Sequence, residues 1–381
     1  MLFDFDTRID RRAGDSMKWN RYAGRDVLPM WVADMDFAAP PVVIDALHRR
    51  IDHGVLGYAE PWPALTAAVV AGVERDHGWR IAADWLVWVP GLVTGLNVAC
   101  RTVGEPGDGV FTTTPIYPPF LTAPGLSGRR VETAPLLRSA TRWEVDLDRI
   151  DSALNARTRL FLLCNPHNPT GRVFSPEELT AIARLAERHG LVVCADEIHC
   201  DLVLEPGCRH LPFATLDESV AARTITLMAP SKTYNIPGLG CAFAVIPDAV
   251  LRQAFRAAMR GIVPHVNVLG LVAAEAAYRD GGAWRGALLR YLRGNRDRVI
   301  AALRAMPRLS ATKPEATYLA WIDARGIDFE DPVAFFEAAG VGLSDGRDFG
   351  TPGFVRLNFG CTRSVLDEGL RRMATALTGA G

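Results

Sequence analysis

Short apolar runs alternate with longer stretches of helical period along most of the chain. Residues 85–89, 110–113, 160–164, 191–195 and 224–227 are continuous apolar or β-branched runs. Between them, 42–52, 63–77, 92–103, 176–189 and 218–222 read as helices, several punctuated by proline at the start or glycine at the end. Strands without polar alternation are buried on both faces. The pattern therefore predicts an α/β fold, with a mostly parallel sheet covered by helices.

Helical period dominates 247–306, with a long helix over 282–305. A strand at 316–322, a helix at 331–339, a strand at 354–358 and a last helix at 363–377 then suggest a smaller α+β domain. The first 27 residues are polar and irregular, and 28–37 reads as an extended apolar segment. The expected division is a large domain over 46–280 and a small one built from 1–45 together with 281–381. There is no internal repeat, low-complexity tract or long linker.

Composition narrows the class. Hydrophobic residues make up 49% of 381, enough for a sizeable core and against wholesale disorder. The 42 basic and 43 acidic residues are interspersed, which argues against nucleic acid or an anionic membrane as partner. Seven cysteines without a Cys-x-x-Cys spacing point to free thiols in a reducing compartment. The charged N-terminus does not resemble a signal peptide, and no apolar run reaches membrane-spanning length, so a soluble cytoplasmic protein is expected.

Four stretches carry candidate chemistry. Ser231-Lys232-Thr233 follows the run 224–227 and precedes a Pro237-Gly238 turn, presenting a lysine in apolar surroundings. Desolvation lowers the pKa of such an amine, and a neutral amine attacks carbonyls. A surface lysine in a loop is the bland alternative. Asn165-Pro-His-Asn-Pro-Thr-Gly171 ends one strand and exposes Asn168, or is a plain turn. Asp196-Glu-Ile-His199 ends the next, where α/β proteins bind ligands, or supplies a helix-capping carboxylate. Arg356, within the apolar run 354–358, suits a substrate carboxylate or a structural salt bridge.

Weaker signals surround these. Pro90-Gly91-Leu92-Val93 is a strand-to-helix turn whose free amides suit a phosphate. No Gly-x-Gly-x-x-Gly dinucleotide fingerprint occurs between a strand and a helix. His199, Cys200 and Cys194 match no zinc spacing, and no metal is expected.

Together, Asn168, Asp196, Lys232 and Arg356 resemble, in order and spacing, the fold-type-I pyridoxal-phosphate (PLP) enzymes, and the likeness runs over nearly the whole chain. It is similar above all to the cystathionine β-lyase-like C–S lyase branch of the class I/II aminotransferase superfamily. The branch-level marks are Lys18-Trp19, Pro29-Met-Trp-Val-Ala-Asp-Met-Asp-Phe37, His53-Gly-Val-Leu-Gly-Tyr58, Pro115-Ile-Tyr-Pro-Pro-Phe120, the Asn165–Arg172 stretch and Asp196-Glu-Ile-His. Pro237 and Ala195 depart from the residues usual there, and neither removes a needed chemical group.

The resemblance implies a seven-stranded, mostly parallel sheet in the large domain. It implies that Lys232 carries PLP as a Schiff base and then serves as base at Cα. Asp196 pairs with the pyridine nitrogen. Asn168, with His199 nearby, binds the phenolic oxygen, and Tyr117 stacks on the ring. Gly91, Leu92 and Val93, with Ser231, hold the phosphate, and Tyr58 reaches the phosphate of a neighbouring subunit in a homodimer. Arg356, with Ala33 and Asn168, binds the amino-acid substrate. The implied activity is C–S β-lysis of cystathionine, cysteine or an S-conjugate. An amino-acid aminotransferase and a PLP-binding regulatory partner are the alternatives, because every named residue serves elimination and transamination equally well.

Overall fold

The computed structural model describes residues 3–12 and 14–379. Seven strands form the main sheet: β1 (Leu86–Val89), β2 (Gly109–Thr114), β3 (Arg130–Pro135), β4 (Thr158–Cys164), β5 (Val192–Asp196), β6 (Thr224–Met228) and β7 (Ala242–Val245). Their spatial order is β1-β7-β6-β5-β4-β2-β3, and only β7 runs against the others. The runs lacking polar alternation are buried on both faces, as expected. On one face Leu160 and Leu162 of β4 pack with Leu96, Ala99 and Phe255; on the other, Phe161 and Leu163 pack with Leu179 and Ile182.

The alternating runs and helices of the sequence match elements of the structure. Helices Pro41–Asp52, Pro63–His77, Leu92–Thr102 and Pro176–Arg188 lie within a residue or two of their expected bounds. The last begins with a reciprocal capping box, Ser175 accepting from the Glu178 amide while Glu178 accepts from that of Ser175. The region 247–306 resolves into three helices, the longest being Gly282–Arg304. A second sheet of four strands, β8 (Ser310–Ala311), β9 (Leu319–Asp323), β10 (Ser344–Asp345) and β11 (Phe354–Asn358), is ordered β8-β9-β11-β10.

Two extended segments were expected to be longer than they are. Within 28–37 only Leu28–Pro29 is a strand, pairing in parallel with Val341–Gly342. Beyond it Met30 bonds the backbone of Gly342 and Asn358, and Asp36 that of Gly360, and side chains hold the stretch between. Asn358 Nδ2 donates to the carbonyls of Val32 (2.6 Å) and Asp34 (2.7 Å), and Asn235 brackets Met35. The strand expected from 316 begins at Leu319, because Thr317 turns the chain with φ of 70°.

Candidate active site

The carboxyl ends of five parallel strands deliver the candidate residues to one place. β1 leads into Gly91, Leu92 and Val93; β2 into Tyr117; β4 into Asn168; β5 into Asp196, Ile198 and His199; β6 into Ser231 and Lys232. All of these, with Ala33 and Arg356, line one cleft of about 200 Å³. Ligand sites at the carboxyl ends of strands are the rule in open α/β sheets. The helix Leu92–Thr102 starts here with no side chain capping its first amides, so its positive end is free for an anion. Gly91 precedes it at φ of 150°, a backbone shape L side chains rarely adopt.

The chain has three lysines, and only one stands in the cleft. Lys18 is buried against Asp36 (2.7 Å), and Lys313 pairs with Glu205 (2.7 Å) at the surface. Lys232 has no carboxylate partner among the described residues; its Nζ donates to the Ala33 carbonyl at 2.5 Å. Burial, reinforced by the Arg356 guanidinium, brings its pKa down to about 8. About a tenth of this amine is thus neutral at pH 7, far more than for an ordinary lysine.

Asp196 lies at the floor, its Oδ1 accepting from the Ile198 amide at 3.0 Å. Burial, with a push from Glu197, raises its carboxyl to about 7 against the opposing Ile198 amide and Lys232. Glu197 itself points away and is locked to His210 (2.7 Å) and the Phe213 amide (2.8 Å). The acidic pair thus divides into one carboxylate with a structural role and one open to a cationic ligand. His199 is buried beside it and held neutral, its pKa pushed down to about 3, and its Nδ1 finds no partner among the described residues.

Asp196 gives a signed prediction. A carboxyl raised from 3.8 to about 7 on folding stabilises the cofactor-free protein below pH 4, and that contribution is lost as pH rises through 7. Asp196→Asn removes the titration. Melting curves of both cofactor-free proteins should show the variant gaining on the wild type by roughly 2 °C or more between pH 4 and 8. A pH-independent difference would mean that Asp196 ionises like a surface carboxylate.

Arg356 reaches the cleft from β11. Its Nη1 donates to Asn168 Oδ1 (2.9 Å) and its Nη2 to the Trp31 carbonyl (2.9 Å) and Ser344 Oγ (3.3 Å). The guanidinium lies 4.8 Å from the Phe349 ring centroid, and its Nε has no partner among the described residues. It meets no acidic side chain among the described residues, which disposes of the salt-bridge reading. A buried cation without an anion, its pKa lowered to about 10 by burial, has the chemistry to receive an anionic ligand.

The Lys18-Trp19 and 29–37 marks acquire a physical role. Lys18 Nζ, Trp19 Nε1 and Arg11 Nη1 all donate to the Asp36 carboxylate, at 2.7, 3.0 and 2.7 Å. They clamp the segment that carries Ala33 over the cleft.

Tyr58 is not part of the cleft; it stands fully exposed on a loop with Val55 and Leu56, also exposed. The rejected metal trio does not assemble either. Among the described residues the one donor group is His77, Cys200 and Asp201, and Arg285 already occupies Asp201 at 3.0 Å. Sequence reasoning missed Val32, Cys164, Ile198, Gly240 and Cys241 in the lining. Only Ile198, two residues beyond the strand-ending aspartate, could have been read from its position.

A half-buried lysine without an acidic partner, a buried carboxylate and a buried arginine without an anion stand around free helix amides, a combination suited to an anionic carbonyl cofactor. The chain belongs to the family described as aminotransferase class I and II, whose sequence profile matches residues 25–373. It is 38% identical to the cystathionine beta-lyase PatB of Bacillus subtilis (strain 168), over 98% of this chain and 100% of that one. Among solved structures, OvoB matches with a TM-score of 0.97 and 51% identity, over 99% of both chains. Cystalysin from Treponema denticola, which contains a pyridoxal 5'-phosphate cofactor, matches with a TM-score of 0.95 and 33% identity over 100% of both.

Proposed function

We propose that this chain is a PLP-dependent C–S β-lyase, converting L-cystathionine, cysteine or a related S-conjugate, with water, into pyruvate, ammonia and a thiol. The observation that carries the reading is the full-length match to a cystathionine beta-lyase by a chain whose cleft fits the cofactor. The fit rests on the residues present. The buried Asp196 calls for a cationic partner, which a protonated pyridine nitrogen supplies. The uncapped amides at 91–93 call for a phosphate, and Lys232 for a carbonyl.

Bound there, the cofactor supplies an electron-poor ring that takes up the electron pair left behind when the Cα proton departs. The chain's residues do the rest. Arg356 and the Ala33 region hold the α-carboxylate, with Asn168 keeping the guanidinium in place. Lys232 would anchor the cofactor and, as a free amine, would take the Cα proton, which its lowered pKa favours. Asp196, ionised by its cationic partner, keeps the ring nitrogen protonated. Tyr117 would cover the ring, and Asn168 with His199 would hold its oxygen. Gly91, Leu92, Val93 and Ser231 hold the phosphate. Multiple turnover of L-cystathionine without any keto acid tests the lyase reading.

The working unit in this reading is a homodimer in the cytoplasm. Tyr58, Val55 and Leu56 on one exposed loop support a contact in which Tyr58 completes the partner's phosphate site. All seven cysteines are free, in keeping with a reducing compartment. Among the described residues no helix is long and apolar enough to cross a membrane. Sedimentation of the holoprotein at micromolar concentration should give a dimer, and Tyr58→Phe should loosen the cofactor. A fully active monomer would contradict this assembly.

A further inference from the structure

The Ala33 carbonyl accepts two hydrogen bonds, one from Lys232 Nζ at 2.5 Å and one from the Tyr318 hydroxyl at 3.0 Å. Tyr318 is 1% exposed, and it meets His199 edge-on with ring centroids 6.2 Å apart. Burial raises its phenol far above the usual range, so it remains a donor at any working pH. Its neighbour Thr317 has φ of 70°, a conformation rare for a β-branched residue and one that marks an over-determined position. That turn is pinned from both sides: the Thr317 amide donates to Leu202 O (2.9 Å), and Thr317 Oγ1 accepts from the Leu319 amide (3.1 Å). The twist sets Tyr318 against Ala33 before the chain enters β9.

The other side of Ala33 is equally constrained. Asn358 holds the carbonyls on either side of it, Val32 and Asp34, and Arg356 holds that of Trp31. Ala33 O is thus a fixed acceptor whose second lone pair belongs to Tyr318. A free amine at Lys232 has this oxygen as its partner. One N–H bound there leaves the nitrogen lone pair with a defined direction instead of a rotating one.

We propose that Tyr318 is a positioning residue for the base, acting through the Ala33 carbonyl to fix where the amine of Lys232 stands while it takes the Cα proton. In that step the Cα–H bond breaks, its electron pair stays with carbon and passes toward the bound cofactor, and the Nζ lone pair forms the new N–H. The proposal rests on Lys232 being the base, and it holds for elimination and transamination alike. Orientation matters here because proton transfer falls off steeply once the donor and acceptor are misaligned.

The test uses the holoenzyme and L-alanine, which has no leaving group, in D2O. NMR follows exchange of the Cα hydrogen, and its dependence on alanine concentration separates rate from binding. In Tyr318→Phe the saturated exchange rate should fall about tenfold, the scale of one hydrogen bond, with alanine affinity and cofactor content unchanged. An unchanged rate, or a loss shared equally by affinity and cofactor content, overturns the proposal. A wild-type crystal structure with bound L-alanine gives an independent reading. Lys232 Nζ should lie within about 3.2 Å of Ala33 O, and an amine turned elsewhere overturns the proposal even where the variant does not fold. Because alanine exchange does not require C–S cleavage, failure of the lyase assignment leaves this result interpretable.

Discussion

Lys232→Ala should reduce turnover by about 10³-fold or more, because it removes the covalent anchor of the cofactor and the base together. The other two lysines offer no substitute. Lys18 is 1% exposed and bound to Asp36, and Lys313 lies at the surface beside Glu205. The variant should still bind the cofactor without a covalent link, since Asp196, Asn168 and the amides at 91–93 remain. Borohydride should fix the cofactor to the wild-type chain on the peptide containing Lys232 and leave the variant unlabelled. Label on Lys18 or Lys313 would contradict the site.

Arg356→Lys should raise KM for the amino acid about tenfold or more while the cofactor's absorbance stays as in the wild type. The guanidinium binds Asn168, Trp31 and Ser344 and still has Nε to spare for a ligand. An ammonium on a flexible stem cannot hold those protein contacts and a carboxylate with one planar group. Each ~1.4 kcal/mol lost is a factor of ten. Measuring KM and the absorbance spectrum on the same preparation separates a lost carboxylate contact from a collapsed site. An unchanged KM would leave Arg356 a purely structural bridge between Asn168 and the 31–36 segment.

The strands that carry the site were readable because burial on both faces leaves a continuous apolar signature, which 160–164, 191–195 and 224–227 all have. The residues just beyond their carboxyl ends then fell into one cleft by topology. Two strands of the sheet were not read, for different reasons. β3 is an edge strand whose residues are mostly exposed, whereas β7 lies in the apolar run 241–246, which has that signature and was passed over. Residues 28–37 looked like a strand because apolarity reports burial, not hydrogen-bond partner. Their carbonyls go to Asn358, Arg356 and Asn235, contacts between residues some 200 to 330 positions apart. Tyr318 was hidden for the same reason: nothing within its own apolar run distinguishes a phenol that packs from one that holds a catalytic carbonyl. Lys232, by contrast, was legible as a lysine between an apolar strand and a Pro-Gly turn.

Elimination and transamination share every residue of the cleft, so the decisive measurement is of stoichiometry. The holoenzyme given excess L-cystathionine and no keto acid should turn over many times, releasing pyruvate, ammonia and homocysteine in equal amounts. Sulfur at the β-carbon leaves as a thiolate, so no second substrate is needed to begin the next cycle. A burst of one equivalent per site that resumes only when a keto acid is added would contradict the lyase assignment and make the protein an aminotransferase.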